Sequence, residues 1–121
     1  MKLITRSAIA LVFLIGLAKP LLATNPDVAI RIRPVKNCFT ILIKNVRGTP
    51  VGPITAVDMT IFDQKNCQRV CQTKMKLQKK LAICQSLDFN ICCNKPLPLS
   101  YIVYVRVYHN FGMNEEWFFQ P

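Results

Sequence analysis

Alternation of apolar and polar residues with a period of two is the feature that most constrains this fold. Apolar and basic residues alternate through Val28–Arg33, and the same period continues in Phe39–Val46 and Ile54–Asp63. In a β-strand, successive side chains point to opposite faces, so this period predicts strands with one buried face. Pro34 is expected to end the first strand. The Gly- and Pro-containing segment Arg47–Pro53 is expected to be a loop.

The C-terminal third contains the clearest strand. Tyr101–Phe111 is rich in β-branched and aromatic residues, and both of its faces are largely apolar, which predicts a central position in a sheet. We expect a turn at Gly112–Asn114 and a last strand at Glu115–Gln120. Leu81–Ile91 is expected to supply another strand.

Residues 64–80 are ambiguous between helix and strand. Cys67 and Cys71 are spaced for one helical face, whereas Lys74–Gln78 alternates as an edge strand does. The strand interpretation is favoured for Lys74–Gln78. The sequence as a whole predicts an all-β or mostly β chain, a small antiparallel β-sandwich of six or seven strands stapled by three disulfides.

The N-terminal segment is typical of a secretory signal peptide. Met1–Arg6 carries two cations and precedes Ala8–Ala18, an apolar run of 11 residues, which is too short to span a membrane. We expect cleavage after Ala23, with Ala18 as the alternative. The predicted organisation is therefore a signal peptide at 1–23 and one secreted, extracellular domain at 24–121.

Six cysteines lie in the predicted mature domain, and an even number in a small secreted chain predicts a disulfide framework. Adjacent cysteines on an extended segment point to opposite faces, so Cys92 and Cys93 should have different partners. Six cysteines allow 15 connectivities, and the sequence alone does not select one. Their spacing is not that of a zinc finger, so no metal is expected. The predicted disulfide cysteines are Cys38, Cys67, Cys71, Cys84, Cys92 and Cys93.

The residue types argue against an enzyme. His109 is the only histidine, it ends an apolar strand, and a structural role is the simpler interpretation, although catalysis by His109 stays an alternative. Ser86 and Ser100 lie outside any nucleophile-elbow motif. Glu115 and Glu116 are neighbours and would point apart on a strand. We therefore expect no catalytic residues and no cofactor.

One segment carries most of the positive charge. The chain has a formal charge of +10, and removal of Lys2, Arg6 and Lys19 with the signal peptide leaves +7. A solvated lysine-rich edge and an electrostatic docking patch both account for residues 65–80, which hold six cations and no acid. The candidate binding residues are the six cations and two aromatic residues close to the C-terminus, namely Lys65, Arg69, Lys74, Lys76, Lys79, Lys80, Trp117 and Phe118.

A second group of residues shares one strand face. Tyr104, Arg106 and Tyr108 have the outline of a base-stacking platform, but packing of aromatic residues across strands explains them more simply. Nucleic acid is accordingly not an expected partner.

Two short similarities to known families are present. Cys84 to Cys93 followed by the strands of Tyr101–Phe119 is similar to the end of secreted lipid-recognition sandwiches. The turn Val46–Pro50 is similar to a transthyretin-like turn. Each similarity covers a third of the chain or less, and no site is transferred from either.

The sequence thus predicts a secreted, monomeric, non-enzymatic binding protein of toxin-, effector- or defence-like character. Its expected partners are an extracellular receptor or channel, or an anionic membrane or glycan surface, contacted through the basic segment. The alternative is an extracellular carrier that holds a lipid or another small apolar ligand between two sheets.

Overall fold

The structure is a computed structural model that describes residues 26–121. The predicted signal peptide at 1–23 lies outside the described residues, and the extracellular location stays a prediction. Within residues 26–121, no helix is long and apolar enough to cross a membrane.

The described residues form seven β-strands in two antiparallel sheets. A three-stranded sheet has the order β1-β2-β5, and a four-stranded sheet has the order β4-β3-β6-β7. The all-β prediction is confirmed, and the arrangement is sandwich-like. The strands are β1 (Val28–Val35), β2 (Cys38–Asn45), β3 (Val51–Asp63), β4 (Arg69–Leu81), β5 (Ser86–Cys92), β6 (Tyr101–His109) and β7 (Gly112–Gln120).

One apolar core joins the two sheets. Phe39 and Ile41 of β2 are fully buried, as are Met59 of β3 and Val105 of β6. The ring of Phe39 meets that of Tyr101 edge to face, with 5.8 Å between the centroids. These residues occupy every second position of their strands, so the period of two in the sequence corresponds to the side of each sheet that is buried.

The strand boundaries differ from the predictions in four places. β1 continues through Pro34, which is tolerated because β1 is an edge strand. β3 begins at Val51 inside the expected loop, because Gly52 allows a close approach to β4: a Cβ there would lie 2.7 Å from the Cα of Lys80. Leu81 belongs to β4, and a turn separates it from β5. The last turn lies before Gly112, where β7 already begins.

The prediction of three disulfides is wrong, because the described residues contain two. Cys38–Cys92 joins the paired strands β2 and β5, and Cys71–Cys93 connects β4 to the segment after β5, so it crosses between the sheets. Cys67 and Cys84 are free and exposed. They lie at opposite ends of β4, too far apart to bond to each other. The expectation that Cys92 and Cys93 have different partners is confirmed.

Candidate functional site

The most chemically diverse surface is the side of the four-stranded sheet that faces away from the core, which we call the outer face. Cross-strand pairing arranges its side chains in four rows, each with one residue per strand. In the order β4, β3, β6, β7 the rows are Lys76–Ala56–Tyr108–Met113, Lys74–Asp58–Arg106–Glu115, Gln72–Thr60–Tyr104–Trp117 and Arg69–Phe62–Ile102–Phe119.

The second row alternates in charge across the sheet. Arg106 donates from Nη2 to the Asp58 carboxylate at 2.6 Å, and Gln72 donates to both oxygens of the same carboxylate at 3.3 Å. Asp58 is buried although it lies outside the core, so these bonds compensate its lost hydration. The hydrogen bond to Asp58 also raises the pKa of Arg106. Lys74 and Glu115 occupy the two ends of the row.

Aromatic residues occupy the neighbouring rows. Tyr104 stacks on Trp117 with 4.1 Å between ring centroids, and the Tyr104 hydroxyl donates to Glu115. The guanidinium carbon of Arg106 lies 5.5 Å from the Tyr104 ring centroid and 5.8 Å from that of Tyr108. The simpler interpretation of Tyr104, cross-strand aromatic packing, is therefore confirmed. The ring faces of Tyr104 and Trp117 cover each other.

Burial is the largest cause that raises the pKa of Tyr104 above its usual value, and the hydrogen bond to Glu115 is the second largest. The pKa of Tyr104 is therefore higher in the folded protein than in the unfolded chain, so protonated Tyr104 contributes to the stability of the fold. That contribution is complete below about pH 10, the pKa of an unperturbed tyrosine, and is lost at higher pH. Burial also raises the pKa of Tyr101.

In absorbance titrations at alkaline pH we expect a fraction of the tyrosines of the folded protein to ionise late, and Tyr104→Phe should reduce the amplitude of that fraction. The protein unfolded in urea is the reference, and an unchanged late fraction in the variant would contradict this assignment.

A depression of about 380 Å³ opens on the outer face beside the turn that joins β3 to β4. Its lining combines two guanidinium groups with aromatic and amide side chains. Arg69 donates to the Gln72 side chain at 3.0 Å, and Gln72 in turn reaches Asp58 beneath the depression. The lining residues are Thr60, Phe62, Cys67, Gln68, Arg69, Gln72, Tyr104 and Arg106.

The structure separates the candidate binding residues that the sequence grouped together. Lys74, Lys76 and Trp117 lie on the outer face, and Arg69 lines the depression. Phe118 is partly buried and packs against the core, on the opposite side of β7 from Trp117. The other three cations are exposed: Lys65 lies in the turn before β4, and Lys79 and Lys80 lie near its C-terminal end.

His109 has the structural role that its position in the sequence suggested. Its side chain is 0% exposed, its Nε2 lies 2.8 Å from the Asn114 side-chain oxygen, and its Nδ1 accepts a hydrogen bond from the Phe111 amide. A side chain with this burial does not reach a substrate in solution. The alternative of catalysis by His109 is therefore not supported.

The comparisons with known proteins concern the fold alone. No family model and no curated protein match the chain. A superoxide reductase (neelaredoxin) from Ignicoccus hospitalis matches with 16% identity and a TM-score of 0.49 over 77% of this chain and 78% of that chain. A superoxide reductase from Nanoarchaeum equitans has 12% identity and a TM-score of 0.42, with coverages of 80% and 95%. A hypothetical protein from Pyrococcus horikoshii has 11% identity and a TM-score of 0.44, with coverages of 85% and 93%.

These comparisons contradict the function predicted from the sequence. The structures found include superoxide reductases, which are enzymes, and the predicted toxin-, effector- or defence-like binder and its alternative, the apolar carrier, find no counterpart among those described above. That prediction is corrected accordingly, and the expectation of a non-enzymatic protein is not supported. Identities and TM-scores this low transfer neither an activity nor a site to this chain.

Residues 26–121 do not provide the cluster of donor side chains that a protein metal centre needs. Within residues 26–121, no group of three or more His, Cys, Asp or Glu side chains is placed to hold a metal ion. Metal ions in proteins are bound by such clusters of donors. We therefore derive no metal-dependent step for this protein.

Proposed function

We propose that the depression on the outer face binds a ligand that combines an aromatic body with a carboxylate. The observation that carries this proposal is the charge of the lining, which contains Arg69 and Arg106 and no carboxylate. The volume of about 380 Å³ falls within the usual range of small-molecule sites.

The guanidinium groups of Arg69 and Arg106 differ in how many of their hydrogen-bond donors stay free for a ligand. Among the described residues, Arg69 forms no ion pair, and its one side-chain hydrogen bond goes to the neutral Gln72. Arg106 gives Nη2 to Asp58, and its remaining donors include the Nη1 group. Arg69 is therefore the principal candidate for a bidentate bond to an incoming carboxylate.

The aromatic lining residues of the depression support an apolar part in the ligand. Phe62 and the ring of Tyr104 line the depression, and Phe62 is only partly covered. An aromatic body packed against these rings gains edge-to-face or stacked contacts, and a nearby carboxylate can then reach Arg69. Arg69 and Phe62 are paired across β3 and β4, so both contacts are available at one end of the sheet.

Indole-3-acetate is a probe with both features, and neutral indole is its matched reference. We expect indole-3-acetate to shift the backbone amide resonances of Phe62, Gln68 and Gln72. Loss of a charge-assisted hydrogen bond in Arg69→Gln should weaken this binding by about tenfold. Lys79→Gln removes an equal charge from the same strand outside the depression and should leave the binding unchanged.

Two results would overturn the proposal. One is an absence of shifts around the depression at millimolar indole-3-acetate. The other is equal weakening in Arg69→Gln and Lys79→Gln, because it would show that only the net positive charge of the protein attracts the probe. Equal binding of indole and indole-3-acetate would remove the role of the carboxylate.

A further inference from the structure

We propose that the outer face binds a second copy of this chain face to face, with aromatic residues of the partner's β7 lying over the depression. This inference goes beyond the proposed function, because the partner's carboxylate faces Lys74 and not Arg69. Trp117, Phe119 and Glu115 of β7 present two aromatic rings beside a carboxylate, and they lie at the edge of the outer face opposite to the depression.

The charge row is complementary to itself under a two-fold rotation. The two-fold axis runs parallel to the strands, between the four-stranded sheets of the two copies and midway between β3 and β6. Rotation about this axis brings β4 opposite the partner's β7 and β3 opposite the partner's β6. Lys74 then faces the partner's Glu115, and both of these side chains are exposed. Asp58 comes opposite the partner's Arg106 but stays buried in the ion pair with Arg106 of its own chain. Each of the four positions meets the opposite charge, because the row alternates in sign and has an even number of members.

The same rotation brings the aromatic residues over the depression. Gln72 comes opposite the partner's Trp117, and Arg69 comes opposite the partner's Phe119, which allows a cation–π contact. In the single chain, Trp117 is 45% exposed and Phe119 is 56% exposed. Two symmetric copies of this contact would cover both rings in each chain.

An axis perpendicular to the strands gives a poorer match. Placed along the second row, it would put each residue of that row opposite the same residue of the partner, so that Lys74 would face the partner's Lys74. Placed midway along the four rows, it would put Lys74 opposite the partner's Gln72 and leave the charged residues opposite neutral ones. Like charges placed directly opposite each other are destabilising. The distribution of charge therefore selects the axis along the strands.

The area of the outer face sets the expected affinity of the dimer. Four strands and four rows form a surface of roughly 19 by 24 Å at ordinary strand spacing and rise. Two such faces bury on the order of 1,000 Å², which corresponds to a weak or transient complex. We therefore expect a dimer with a dissociation constant of about 10 to 100 μM. The sequence predicted a monomer, which is the competing outcome.

A charge exchange within the chain tests the symmetry directly. By sedimentation velocity over a concentration series, Lys74→Glu and Glu115→Lys should each weaken dimerisation by about tenfold or more, because each creates two repulsive contacts per dimer. The variant with both substitutions should return to within about threefold of the original protein, since the pairs are restored with reversed sign. Lys80→Glu, which makes the same charge change on β4 outside the four rows, is the matched control.

Trp117→Ser provides a test that leaves the charge row intact. It should abolish the dimer while far-ultraviolet circular dichroism shows the same β-structure. A monomeric original protein at 0.5 mM, or a double charge variant that stays as weak as the single ones, overturns the dimer. If such a monomer still binds indole-3-acetate through Arg69, only the second copy is excluded; if it does not, the depression as a ligand site is excluded as well.

Discussion

Phe39→Ala should lower the free energy of unfolding by about 3–5 kcal/mol, the cost of replacing a fully buried phenylalanine by alanine. Phe39 is 0% exposed and meets the Tyr101 ring edge to face, so it joins the three-stranded sheet to the four-stranded one. The variant loses both the transfer free energy of the ring and its contacts with the opposite sheet. Adjacent strands limit how far the resulting cavity can collapse.

Urea denaturation monitored by circular dichroism measures this effect. Phe39→Leu keeps most of the volume and should cost less than about 1.5 kcal/mol. The difference between the two variants reports the cavity, because both remove the aromatic contact. A loss below 1 kcal/mol in Phe39→Ala would show that the two sheets do not share the core described above.

The buried faces of the strands could be predicted from the sequence because burial follows the period of two. Phe39, Ile41 and Ile43 are the alternate apolar residues of Phe39–Val46, and all three are fully buried. The apolar content of Tyr101–Phe111 correctly indicated a central strand, since β6 lies between β3 and β7. A central strand is covered by hydrogen-bonded neighbours on both sides, which favours β-branched and aromatic residues.

Strand ends were harder to predict because tertiary contacts decide them. Pro34 has no amide hydrogen, yet β1 extends past it because an edge strand leaves half of its backbone groups unpaired. β3 and β4 are each 13 residues long, and their pairing contains three register shifts. Such bulges break the alternation near both ends of β4, so only Lys74–Gln78 of the segment 64–80 shows a period of two in the sequence.

The outer face could be found only in part from the sequence. Tyr104, Arg106 and Tyr108 were correctly assigned to one face of a strand. Asp58 lies at a polar position of the alternating segment Ile54–Asp63, but its partner Arg106 lies 48 residues away. Only the register of β3 with β6 brings the two charges together, and period alone carries no information on register. The contact of Gln72 with Asp58 is not predictable from the period for the same reason.

The depression has a different origin, because it lies at the end of a sheet instead of along a strand. Cys67 and Gln68 enter its lining from the turn that leads into β4, and Cys67 has a left-handed φ of 58°. A turn conformation of this kind is seldom adopted by cysteine and was not indicated by Gly or Asn. The even cysteine count instead suggested that Cys67 was part of a disulfide.

Removal of the Cys38–Cys92 disulfide is the second change with a large expected effect. The bond closes a sequence separation of 54 residues, and loop-closure entropy assigns it about 4 kcal/mol of stability. We therefore expect Cys38→Ser/Cys92→Ser to lose about that amount of unfolding free energy. Cys71→Ser/Cys93→Ser should lose about 3 kcal/mol by the same reasoning, plus the cost of placing hydroxyls at two buried positions.

The matched control is Cys67→Ser/Cys84→Ser, which also replaces two sulfurs but breaks no crosslink. Both thiols are exposed, so its unfolding free energy should stay within about 0.5 kcal/mol of the original. Alkylation of the unfolded, unreduced protein followed by mass spectrometry should label two cysteines, Cys67 and Cys84. Equal destabilisation in the control, or an absence of labelling, would instead support the three crosslinks predicted from the even cysteine count. Labelling at Cys67 and Cys84 alone would show that the Cys38–Cys92 and Cys71–Cys93 disulfides are the only crosslinks, so the stability lost in each double variant can be assigned to one bond.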